Sequence, residues 1–155
     1  MKRKLNYALL LAVISSIVLA LACQKKTPKN YYFKYSKGGN TVTLNDTSQF
    51  AAVGTGNLLT ISASDGTFYF LGYGANRGTG NFQASSIPIP LLTNLFYIQF
   101  QGLGENPLSI SGTGNISNIS DGDIKGTFDL QFQNIIDTAL YEPVTIEYYA
   151  PYYRQ

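Results

Sequence analysis

The sequence predicts an all-β domain, a single antiparallel β-sandwich or small barrel of about eight strands, behind an N-terminal signal helix. Three observations lead there. Past residue 23, Tyr, Phe, Ile, Val and Thr recur in short runs divided by Gly, Asn, Asp and Pro, the texture of strands and turns. One run, 124–132, alternates cleanly: Ile124, Phe128, Leu130 and Phe132 share one face, and Lys125, Thr127, Asp129 and Gln131 share the other. No window in that region offers a convincing helix, although Asn134 to Leu140 is read as a single turn.

The first 22 residues form a separate element. Lys2, Arg3 and Lys4 precede an apolar run, 5–22, that closes on Ala20-Leu21-Ala22 before Cys23, the one cysteine of the chain. A basic start, a short apolar core and small residues at the end are the layout of a secretory signal. The run is shorter than the ~20 residues a membrane-spanning helix usually needs. The segment resembles a bacterial lipoprotein signal, which implies cleavage before Cys23 and lipidation of that residue. A lone, exposed thiol has no disulfide partner in an exported protein, and acylation gives it a use. The expected organisation is a signal peptide over 1–22, a lipidated cysteine and linker over 23–30, and a β-domain over 31–155. Gln24 after the cysteine is compatible with sorting to the outer membrane. The sequence leaves open which face of that membrane the domain occupies.

Strands then follow in order. Tyr31 to Ser36 and Asn40 to Leu44 flank Gly38-Gly39. Leu58 to Ala63 and Thr67 to Tyr73 flank Ser64-Asp65-Gly66. Leu108 to Ser117 and Ile124 to Gln133 flank Asp121-Gly122. Gly-Gly and Asp-Gly supply the positive φ of tight hairpins. Leu95 to Gln101 and Val144 to Ala150 complete the set, and Ile87-Pro-Ile-Pro90 is an edge or a crossover because proline donates no ladder hydrogen bond.

Charge and composition exclude several functions. From Asn40 onward only Arg77, Lys125 and Arg154 oppose all nine carboxylates, so the body has no basic patch for nucleic acid. The chain has no histidine, which removes the commonest general base and metal ligand, and Cys23 is committed to lipid. No metal or other cofactor is expected. The Gly-x-Gly pairs lack a third glycine and a following helix, so they are not nucleotide loops. The expectation is therefore a protein that is not an enzyme. The remaining catalytic option is a carboxylate pair drawn from Glu105, Glu142 and Glu147. Asp121-Gly122-Asp123 is read as a hairpin turn in preference to a calcium fragment.

Two features invite contact. Tyr149, Tyr152 and Tyr153 sit in a tyrosine-rich C-terminus and form the candidate contact surface, since exposed tyrosines offer rigid apolar area with a polar tip. Gly-Thr-Gly-Asn occurs three times, at Gly54, Gly78 and Gly112, as a strand-entry device or a shared binding rim. Asp137-Thr138-Ala139 resembles a bacterial O-glycosylation acceptor, making Thr138 a candidate.

The stretch Leu108-Ser-Ile-Ser-Gly, continued by Asp123-Ile-Lys-Gly-Thr-Phe-Asp-Leu and Val144-Thr-Ile-Glu, resembles the C-terminal half of a family of small envelope lipoproteins of unknown function. Their last strand usually ends near Gly-x-Phe, where this chain has Tyr148-Tyr149-Ala150. The resemblance covers about a third of the chain; it implies an all-β fold and a lipid anchor, and carries no activity. The leading expectation is a non-catalytic, membrane-tethered protein with a protein or glycan partner. The alternative is a barrel carrying a small apolar ligand.

Overall fold

The computed structural model describes residues 29–75, 78–87, 94–102, 107–120 and 122–155. Cys23, the signal segment, Glu105, Asp121 and residues 88–90 of the Ile-Pro run lie outside the described residues.

Ten strands form one sheet: β1 (Tyr32–Lys37), β2 (Asn40–Leu44), β3 (Phe50–Thr55), β4 (Leu58–Ser64), β5 (Phe68–Ala75), β6 (Gly80–Ser85), β7 (Leu95–Gly102), β8 (Ser109–Ser120), β9 (Asp123–Gln133) and β10 (Tyr141–Arg154). The order β2-β1-β10-β3-β4-β5-β7-β6-β8-β9 closes through β9–β10, so eight strands make a barrel and the β1–β2 hairpin adds two further strands at β10. Of the two predicted architectures, the barrel is the one formed.

Closure depends on the length of β10. One edge pairs with β9 over Tyr141–Pro151. Its other edge pairs first with β1, Val144–Tyr149, and then in parallel with β3, Tyr152–Arg154. The β6–β7 pair is also parallel, so the fold is not purely antiparallel.

The period-two pattern of β9 holds: Ile124, Phe128, Leu130 and Phe132 are all buried. Two strands have no counterpart among the eight predicted, β3 and β6. The predicted turn over Asn134 to Leu140 is a non-helical loop. It is built by Asn134 Oδ1, which accepts N–H bonds from Ile136 at 2.7 Å and Asp137 at 3.2 Å.

Aromatic rings fill the barrel. Phe33, Phe70, Phe128, Phe96 and Phe82 form a chain of ring contacts with centroids 5.0–5.8 Å apart. Tyr35, Phe100 and Phe132 form a second, at 4.9 and 5.3 Å. Such pairs contribute roughly 0.5–1.5 kcal/mol each beyond their area burial. Inward glycines make room for these rings: a Cβ on Gly114 would stand 2.6 Å from Phe128, and one on Gly126 would stand 2.2 Å from the Asn115 carbonyl and 2.4 Å from Tyr148 Oη. Alternating large and absent side chains is how a small barrel packs its interior.

Candidate functional site: the barrel mouth and the outer wall

One end of the barrel gathers the turns β3–β4, β5–β6 and β8–β9 together with both described chain ends. A cleft of about 490 Å³ opens there, lined by Gly56, Asn57, Gly78, Ser120, Tyr152 and Arg154 among others. Gly56, Gly78 and Gly122 have φ of 56°, 83° and 93°, a region L side chains rarely adopt, so these turns require glycine. The first two Gly-Thr-Gly-Asn repeats thus do share a rim. The third lies inside β8, where Gly112 and Gly114 face the packed interior and Asn115 faces out toward Asn81 of the second repeat.

Beside the cleft the N-terminal segment is fastened down. Asp123 is the one buried charge among the described residues. Its carboxylate pairs with Lys29 Nζ and accepts hydrogen bonds from Tyr31 Oη at 2.6 Å and Ser120 Oγ at 3.4 Å. Burial alone would push this carboxyl up. The hydrogen bonds from Lys29 and Tyr31, with the Lys29 charge, outweigh it and hold the group below its usual range. The Tyr31 phenol is pushed up to about 12, chiefly by its bond to Asp123. Sequence reading assigned Asp123 only to a turn; no local pattern pairs it with Lys29, which lies 94 positions away.

The tyrosines of the expected contact surface separate. Tyr149 is half-buried and packs on Tyr31 and Tyr32, with centroids 4.9 and 6.5 Å away. Tyr153 is 55 % exposed. Tyr152 is only 8 % exposed and lies over Gly54 on the inward face, so it cannot join the other two on one surface. The physical reason is alternation: β10 continues through Pro151, which puts Tyr148, Ala150 and Tyr152 inside and Tyr149 and Tyr153 outside. Thr138 is exposed on the β9–β10 loop, where its carbonyl accepts from Gln133 Nε2 at 2.8 Å.

The two described glutamates do not converge. Glu142 pairs with Lys37, while Glu147 accepts from Tyr32 Oη on the opposite face of β10. Among the described residues no three acidic side chains gather where they could hold a metal ion.

At the other end, the β9–β10 loop presents Ile135 and Ile136, 62 % and 93 % exposed, beside exposed Leu108 and Leu140. On the outer wall, a second concavity of about 440 Å³ runs between β6, β8 and β9. No family model, curated protein or solved structure matches this chain.

Proposed function

We propose that the chain is a non-catalytic, lipid-anchored protein of the bacterial outer membrane that works through contacts on the outside of a filled barrel. The carrying observation is the fastening of Lys29 to Asp123 at the mouth of the barrel. Lys29 lies six residues after Cys23, a span of at most about 21 Å when fully extended. Acyl chains on Cys23 would hold that end close to the membrane and leave the outer wall and the isoleucine loop facing away. Two or more acyl chains at ~0.8 kcal/mol per buried methylene make release from the bilayer negligible.

Replacing Cys23 by Ala tests this: the variant should leave the membrane fraction, with the barrel still folded. Retention of the variant in membranes would refute the anchor. Protease added to intact and to lysed cells then assigns the face, since the leader at Lys25 and Lys26 is open to cleavage only where protease reaches it.

The closed barrel is compatible with a second reading, a carrier of a small apolar ligand, because barrel mouths are common ligand sites. Its interior is occupied by Phe33, Phe70, Phe96, Phe100 and Phe128, all 4 % exposed or less. A ligand would therefore sit in the glycine-rimmed mouth.

A further inference from the structure

The outer wall carries a chemical asymmetry that neither the anchor nor the packed core requires. From β3 to β8, six consecutive strands contain no Lys, Arg, Asp or Glu. Where this wall meets β9 lies the 440 Å³ groove, lined by Asn81, Gln83, Asn94, Thr113, Asn115 and Asp129 together with Phe82 and Gly114. Strand register arranges its outward side chains in two rungs. Asn81 stands opposite Asn115, and Gln83 opposite Thr113, which in turn faces Asp129. Asn115 Nδ2 donates to Asn81 Oδ1 at 2.7 Å, which uses one half of each amide and leaves hydrogen-bonding capacity on the other half. These two asparagines end the second and third Gly-Thr-Gly-Asn repeats.

An aromatic pair stands on the neighbouring strands β7 and β5. Gln83 pairs with Leu95 across the parallel β6–β7 ladder, and Tyr97 follows two residues along on the same outer face. Tyr97 and Tyr73 pack ring against ring, centroids 4.7 Å apart and 41° between planes, and both are half-buried.

We infer that this groove, with the tyrosine pair on the neighbouring strands, binds a neutral glycan. Sugar rings present many hydroxyls, which planar amides, a hydroxyl and a carboxylate can match as donors and acceptors. They also present an apolar C–H face, which a tyrosine ring covers. The other partner classes fit less well. Nucleic acid and anionic polysaccharide need cations, which strands β3 to β8 lack, and Asp129 in the groove repels them. A protein partner would seek a desolvated apolar centre, and this groove is lined by amides. The inference rests on the contact-making reading above and is independent of the lipid.

The test is affinity electrophoresis of the purified protein through gels containing dextran, laminarin or galactomannan, with polygalacturonate as the anionic comparison. At least one neutral polymer should retard the protein. Asn115→Ala and Tyr97→Ala should each weaken that retardation about tenfold with the fold retained. Should Tyr97→Ala fail to fold, exposed Asn81→Ala serves in its place. Cys23→Ala should bind as the parent does, so failure of the anchor and failure of the glycan site are read separately. Absence of retardation by all three neutral polymers would overturn the inference. So would stronger retardation by polygalacturonate, or binding lost in Tyr153→Ala and kept in the groove variants.

Discussion

Tyr31 donates its phenolic hydrogen to Asp123 across 92 positions of sequence, at 2.6 Å, and so ties the start of the described chain to the turn that opens β9. With Lys29 on the same carboxylate, the contact holds the first described residues against the mouth of the barrel. The remaining expectations follow from this contact and from the packing behind it.

Asp123→Asn keeps the shape and removes the charge. It should cost about 1–3 kcal/mol, the range for a buried hydrogen-bonded group losing its best partners. The folded-state pKa of Asp123 lies below its unfolded value, so its contribution is present above the ordinary carboxylate range and is lost as pH falls through the folded pKa. Lys29 and Tyr31 are shifted upward, so their contributions persist until pH rises past the ordinary lysine and tyrosine values. Denaturant midpoints measured from pH 2 to 7 should show a smaller acid loss in the variant than in the parent.

Tyr148 supplies an opposite case. Its hydroxyl is buried with no hydrogen-bond partner among the described residues, and burial raises its pKa. Tyr148→Phe deletes an unsatisfied polar atom and keeps the ring, so stability should hold or rise by about 1 kcal/mol. A melting temperature lowered by several degrees would reveal a partner for that hydroxyl.

Gly126→Ala should be among the most damaging small changes. The added methyl would meet the Asn115 carbonyl at 2.2 Å, and backbone cannot step aside as a flexible side chain can. Overpacking of this kind typically costs about 1–3 kcal/mol, measurable by urea titration. By contrast Ile136→Ser, at a position 93 % exposed, should change stability by no more than about 0.5 kcal/mol.

Much of this was legible wherever the signal is local. The 124–132 alternation gave β9, and the Gly38-Gly39 and Asp65-Gly66 turns gave their hairpins; Asp65 Oδ1 accepts from the Thr67 and Phe68 amides at 2.8 and 3.1 Å. Strand β3 was hidden because Phe-Ala-Ala-Val-Gly-Thr carries small residues, and the reason for Gly54 is the Tyr152 ring above it from the far end of the chain. Strand β6 offers one aromatic, Phe82, in six residues. Pro151 read as the end of the last strand, yet β10 runs on to Arg154 and the barrel closes there through a parallel pairing that leaves no local mark. Carrying the alternation past Pro151 would have turned Tyr152 inward. The Lys29–Asp123 contact and the Asn81–Asn115 pair join residues distant in sequence, so only the closed barrel brings them together.

The most direct measurement is the native mass of the protein extracted from its own membranes. The account predicts residues 23–155 bearing acyl chains on Cys23, with no apolar molecule held inside the barrel. An unacylated chain would contradict the anchor, and a stoichiometric apolar adduct that survives removal of the detergent would contradict the filled barrel.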